Sequence, residues 1–101
     1  MEVSEELNKL EKTGKFVLGS NETIDATRSG ESKLTILSAT CPPDVEDKVR
    51  KLADENDVSL YFYQGGSEDL GLALGKPFLI SAMAVIDSGD SSILELGGNY
   101  K

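Results

Sequence analysis

Apolar positions recur at helical spacing in several segments and gather into short runs between them. Val3, Leu7 and Leu10 fall at i, i+4 and i+7, with Glu5, Glu6, Asn8 and Lys9 on the other side. That spacing predicts a helix over residues 2–13, ended by Gly14. Phe16–Leu18 reads as a first strand. Residues 21–29 form a short helix stopped by Gly30, with Ile24 as its inward anchor, supported by Ala26 or Thr27. Leu34-Thr35-Ile36-Leu37 is nearly continuous in apolar character, as in a strand covered on both faces. Cys41-Pro42-Pro43-Asp44 is a connection and a helix start, since proline fits before or within a first helical turn but not deeper. Val45, Val49, Leu52 and Ala53 then mark a helix over 44–56, whose many acids read as its solvated face. Leu60-Tyr61-Phe62 is a third strand. Ser67 is placed to cap a helix over 67–74 with Leu70, Ala73 and Leu74 inward, and Gly75-Lys76-Pro77 ends it. Ala82–Ile86 is a fourth strand, Asp87–Asp90 a turn, and Ile93–Leu96 a short edge strand.

Strands and helices alternate from the first helix onward. The pattern predicts an α/β fold: a single-domain three-layer α/β/α sandwich over residues 1–101, with a mixed central sheet of four strands, or five with the edge strand. Alternation by itself favours mostly parallel pairing. Right-handed crossovers would set the turns after Leu18, Leu37 and Phe62 along one edge, where open α/β sheets bind ligands. The turn Gly19-Ser20-Asn21-Glu22-Thr23 then stands out. Gly19 permits a sharp turn, Ser20 or Asn21 can cap, and a helix N-terminus aims free N–H groups outward, a ready place for a phosphate or a base edge.

Composition narrows the function. The chain has 101 residues, 28% of them charged and 39% hydrophobic, which suits one modest globular core. No apolar run approaches a membrane span, and Met1–Glu6 does not read as a signal peptide. The single cysteine, Cys41, favours a reducing cytosolic setting. There is no histidine, which removes imidazole metal ligands and the Ser-His and Cys-His nucleophile pairs and argues against an enzyme. A net charge of -8 argues against loose, nonspecific nucleic-acid binding but leaves room for a small shaped RNA site.

Several motifs dissolve on inspection. Gly71-Leu72-Ala73-Leu74-Gly75-Lys76 has the wrong spacing for a phosphate loop, Pro77 where a hydroxyl is needed, and glycines that end a helix. Cys41 beside a helix N-terminus has no base to activate it, and Asp87 with Asp90 lacks the further oxygen ligands of a metal loop. No catalytic residue, metal site or cofactor is expected. Gly19–Glu22 resists dismissal: Asn21 offers a donor and an acceptor on one amide, and Glu22 can accept from base N–H groups. Phe78 and Leu79 could present an apolar surface to an unstacked base.

Five collinear stretches carry a resemblance. They are Thr13–Gly19, Gly30–Leu34, Cys41-Pro42, Tyr63–Lys76 and Ala84–Leu94. Together they resemble the archaeal/eukaryotic-type L-thirty family of large-subunit ribosomal proteins, within the kink-turn RNA-binding superfamily. The resemblance implies an RNA-binding constituent of the large ribosomal subunit in the cytoplasm, a monomer when free, with neighbouring ribosomal proteins as further partners and no membrane. Its RNA would be a sharply bent internal loop of ribosomal RNA. Carried over, Gly19, Ser20, Asn21, Glu22 and Thr23 form one contact loop, Thr40, Cys41 and Pro42 a second, and Lys76, Pro77, Phe78 and Leu79 a third. Asn21 and Glu22 would read guanine edges, Phe78 and Leu79 would pack on the splayed base, and Lys33 and Lys76 would neutralise phosphates. Thr40 replaces a residue often Asn in relatives, and Asp25 stands where the superfamily commonly has lysine. The alternative is an acidic interaction module of the same fold, docking a basic partner on the helix at 44–57 with weak or no RNA binding.

Overall fold

Glycines and prolines set the boundaries of most elements, and the apolar stripes decide which faces meet. The computed structural model describes the backbone of residues 2–100 and the side chains of residues 2–96. Helix α1 spans Val3–Thr13, strand β1 Lys15–Leu18 and helix α2 Ser20–Ser29. Strand β2 is Leu34–Leu37, α3 Pro43–Glu55, β3 Ser59–Phe62, α4 Ser67–Ala73 and β4 Ala82–Asp87. Gly30 closes α2 at φ 80°, a left-handed C-cap that costs glycine nothing. A 3-10 helix, Ile93–Tyr100, stands where a fifth strand was expected. Ile93 is fully buried there, so the apolar run serves as a plug at the end of the chain and not as a sheet edge.

The sheet has four strands in the order β1-β4-β2-β3. Only β2 and β3 pair in parallel; β4 runs antiparallel to both of its neighbours, β1 and β2. The sheet is therefore mixed, and the mostly parallel pairing that alternation favours is corrected. The reason is the last connection. After α4 the chain doubles back along the helix before entering β4, with the Ile80 N–H donating to the Ser67 carbonyl at 3.0 Å, so β4 enters from the opposite end. The edge prediction survives this reversal. β1, β2 and β3 all point one way, and the register Leu18↔Met83, Leu37↔Ala82 and Leu37↔Phe62 brings their carboxyl ends to the start of β4.

Side chains alternate across β2. Leu34 and Ile36 meet Leu7, Leu10, Leu70, Leu74 and Ile93 on one face, while Leu37 meets Cys41 and Val49 on the other. That makes α1 and α4 one outer layer and α2 and α3 the other. Within α2, Ile24 is only half-buried, and Thr23, Ala26 and Thr27 take the inward positions. The Thr27 hydroxyl is tolerated there because its Oγ1 lies 2.9 Å from Thr35 Oγ1, which in turn lies 2.8 Å from Ser32 Oγ.

Glu6, which helical spacing puts on the solvated face of α1, is buried. Its Oε1 accepts from the Ser92 N–H at 2.6 Å and from the Ser91 hydroxyl at 3.2 Å, which latches the C-terminal segment onto α1. The Ser92 N–H, helped by Lys9 and Ser91 and opposed by burial, holds the Glu6 carboxyl below its ordinary value of 4.5. A depressed carboxylate stabilises the fold above the unfolded-state pKa and loses that contribution as pH falls through the folded one. Glu6→Gln is thus expected to lower the melting temperature near pH 7, and the gap to wild type should close as pH drops below about 4. A gap that stays constant with pH would show that the latch does not depend on charge.

Candidate functional site

Four connections meet at the edge formed by the ends of β1, β2 and β3 and the start of β4. The Gly19 N–H donates to the Ala82 carbonyl at 3.0 Å, the Ser38 N–H to the Ser81 carbonyl at 2.9 Å, and the Ala39 N–H to the Gly65 carbonyl at 2.8 Å. These bonds extend the sheet past its strands, so the loops are shaped by the same ladder that holds the core.

Gly19 is itself the N-cap of α2, at φ 97° and ψ 156°, a conformation that glycine alone adopts readily. Ser20 and Asn21 do not cap: both already lie in the first turn, and among the described residues no side-chain bond caps the helix N-terminus. The turn therefore presents uncapped N–H groups, flanked by the exposed side chains of Asn21 and Glu22. Thr23 stands apart from this set. It is fully buried, and its Oγ1 has no hydrogen-bond partner among the described residues, so it packs under the turn and offers no exposed side chain there. Asp25, on the next turn of α2, pairs with Arg28 at 3.1 Å, which softens its charge beside the edge.

The second loop runs from Ser38 to Pro42. Pro42 is exposed at the N-cap of α3, whereas Cys41 is buried at 7% exposure and packs under the sheet with Leu37 and Val49. Burial, then the nearby Glu46 and Asp44 charges, push the thiol pKa up. Cys41 is thus a packing residue that offers no thiolate to a ligand. Alkylation by iodoacetamide at neutral pH is expected to be at least about tenfold slower in the native protein than in urea; equal rates would contradict this placement.

A cluster of hydroxyls lies directly behind this loop. The Ser67 Oγ is 2.9 Å from Ser38 Oγ, 2.9 Å from Thr40 Oγ1 and 2.8 Å from Ser81 Oγ, and the Ser67 N–H donates to Thr40 Oγ1 at 2.9 Å. Thr40 therefore turns its hydroxyl inward, toward the start of α4. Sequence reading took Ser67 for a helix cap, but Gly66 holds that position and Ser67 begins the helix. Ser38 and Ser81 were missed, since a serine beside a strand carries no signal that it meets another serine from a distant loop.

The third loop follows α4. Gly75, at φ 70°, turns the chain, and the Lys76 N–H donates to the Gly71 carbonyl at 2.9 Å. Phe78 and Leu79 are 53% and 69% exposed, so neither belongs to the core. With Glu68, Leu72, Lys76 and Pro77 they line an open groove of about 320 Å³. Leu72, itself 65% exposed, was overlooked, although its spacing from Leu70, Ala73 and Leu74 already puts it on the outer face of α4.

The two lysines assigned to phosphates fare differently from these groups. Lys33 sits at the start of β2, its N–H bonded to the Val85 carbonyl at 2.7 Å, and so lies at the opposite end of the sheet from the four loops. Lys76 lies in the third loop and lines its groove, where it also pairs with Glu11 of α1 at 3.7 Å. The edge thus assembles Gly19, Ser20, Asn21, Glu22, Thr40, Pro42, Pro77, Phe78 and Leu79. It offers hydrogen-bonding groups and apolar surface with little free positive charge. Among the described residues no group of three or more acids or cysteines is placed to hold a metal, and no helix is long and apolar enough to cross a membrane.

Residues 1–95 match the ribosomal protein L7Ae/L30e/S12e/Gadd45 family. Similar curated proteins carry the name large ribosomal subunit protein eL30. The one from Methanosarcina mazei is 44% identical over 91% of this chain and 85% of its own length. The one from Methanospirillum hungatei is 42% identical over 95% and 98%, and the one from Methanothrix thermoacetophila 46% identical over 84% and 79%.

Proposed function

The chain belongs to the ribosomal protein L7Ae/L30e/S12e/Gadd45 family, and from that premise we propose that it binds a kink-turn-type internal loop of large-subunit RNA through the four-loop edge. It is a structural constituent of the large ribosomal subunit, at work in the cytoplasm, and not an enzyme. Ribosomal RNA and neighbouring ribosomal proteins are its partners, and when free it is a monomer.

The observation that carries the RNA reading is the pairing of two features on one edge. An uncapped helix N-terminus, with Asn21 and Glu22 beside it, stands next to a loop that holds Phe78 and Leu79 in solvent. Water is a poor place for two large apolar side chains, and an extruded base is a good partner for them. Asn21 and Glu22 can hydrogen-bond a guanine edge, and the first-turn N–H groups can take the backbone phosphate. A regular A-form helix keeps its major-groove base edges in a deep, narrow groove and offers no unstacked base to Phe78 and Leu79, so only a bent or splayed RNA meets both features at once.

Few free cations face this edge, so affinity should depend only weakly on salt. We expect a gel-shift series to show binding to a kink-turn RNA, little binding to a fully paired duplex of equal length, and a log–log salt slope of magnitude about 1–2. Equal affinity for both RNAs would overturn the reading.

A further inference from the structure

We propose that Ser67 is the positioning residue of this edge: it touches no RNA, but it fixes the second and third loops relative to each other and so sets the discrimination between kinked and straight RNA. The inference rests on the RNA reading above.

Every polar atom of Ser67 reaches beyond its own helix. The N–H donates to Thr40 Oγ1 at 2.9 Å, and the carbonyl accepts from the Ile80 N–H at 3.0 Å. The hydroxyl faces Ser38, Thr40 and Ser81 at 2.8–2.9 Å. A serine hydroxyl has one hydrogen and two lone pairs. Three hydroxyl neighbours therefore saturate it, with one bond donated and two accepted, and no capacity is left for solvent or RNA. Ser67 is itself buried, at 7% exposure, as is Ser38 at 3%. In that setting each bond is directional and costly to leave unmade. The arms run to different connections: Ser38 and Thr40 belong to the loop that ends at Pro42, while Ser81 and Ile80 follow Phe78 and Leu79 directly. None of these arms reaches Gly19–Glu22.

Positioning and stability are told apart by comparison with a second buried cluster, because losing the Ser67 hydroxyl costs some of each. That loss leaves Ser38, Thr40 and Ser81 around an empty centre, so the two loops are held only by the Ser38–Ser81, Ser67–Thr40 and Ile80–Ser67 bonds made by backbone N–H groups, and their relative position loosens. A comparable buried hydroxyl cluster, Thr27–Thr35–Ser32, lies between α2 and β2 and touches neither loop. It supplies the control.

The experiment measures dissociation constants for a kink-turn RNA and for a duplex of equal length, together with melting temperatures, for wild type, Ser67→Ala, Ser81→Ala and Thr35→Val. Binding is read well below every melting temperature, so that only folded protein is compared. We expect Ser67→Ala to lose about tenfold in kink-turn affinity with duplex binding unchanged, and Ser81→Ala to lose less in the same direction. Thr35→Val should lower the melting temperature with kink-turn affinity intact. Coupling provides a second readout: Ser67→Ala combined with Phe78→Ala should be non-additive, whereas Ser67→Ala combined with Asn21→Ala should be additive. If wild type discriminates and Ser67→Ala binds the kink-turn as wild type does, the positioning role is overturned and the RNA reading stands. If wild type itself fails to discriminate, the RNA reading falls first. Should Ser67→Ala not fold, Ser81→Ala decides: unchanged affinity there overturns the proposal.

Discussion

Gly71→Ala is expected to lower both the stability of the protein and its affinity for kink-turn RNA. Gly71 lies on the inner side of α4, fully enclosed, where the returning chain passes over it. A Cβ at this position would overlap the Phe78 carbonyl oxygen, with the Lys76 carbonyl also within 3.8 Å. Both neighbours are backbone, so no side chain can swing aside. Either α4 or the loop from Lys76 to Leu79 must move. Overpacking of this kind costs about 1–3 kcal/mol, and backbone on both sides argues for the upper end. Alanine recovers up to about 1 kcal/mol of helix propensity. A net loss of about 2 kcal/mol corresponds to a melting temperature about 8–16 °C lower in a domain of this size. The displaced loop carries Phe78 and Leu79, so affinity should fall by about tenfold or more even in the folded protein. Thermal melts and filter binding on the same preparation test both parts. Unchanged melting would show that the close approach is easily relaxed.

Phe78→Ala separates the two effects. Its ring is half exposed and contributes nothing to the core, so truncation should shift stability by no more than about 0.5 kcal/mol. A base stacked on an aromatic ring is worth about 1–3 kcal/mol, which predicts a loss of about 5- to 150-fold in affinity. The variant should therefore melt as wild type does and bind poorly. A fall in melting temperature with affinity preserved would mean that Phe78 supports the fold and that the splayed base lies elsewhere. The pair of variants places the same loop under two perturbations, one from behind and one at its tip.

The elements were legible in the sequence because their signals are local. Gly30 and Gly75 turn the chain after helices through the left-handed backbone glycine allows, and Val49 with Ala53 or Leu7 with Leu10 marks a buried stripe through spacing alone. The common direction of β1, β2 and β3 followed from the crossovers, and with it the edge where the loops gather. What could not be read depends on pairs distant in the chain. Glu6 reads as a surface acid until Ser91 and Ser92 return to it from the far end. Ile93 reads as a strand until burial against the sheet makes it a plug. Lys33 and Lys76 read as phosphate contacts because their charge is visible in the sequence, whereas the end of β2 on which Lys33 sits and the Glu11 carboxylate beside Lys76 are not. At a net charge of -8, the proposed RNA affinity would rest on shape and apolar contact more than on charge.

RNA is proposed to meet one edge of the sandwich. Amide chemical-shift mapping, by titrating isotope-labelled protein with an unlabelled kink-turn RNA, tests it most directly. The largest changes should cluster at Gly19–Glu22, Ser38–Cys41 and Phe78–Ser81, while Lys33 and the outer face of Pro43–Glu55 remain unmoved. Changes concentrated on Glu46, Asp47 and their neighbours in α3, or at the Lys33 end of the sheet, would contradict it.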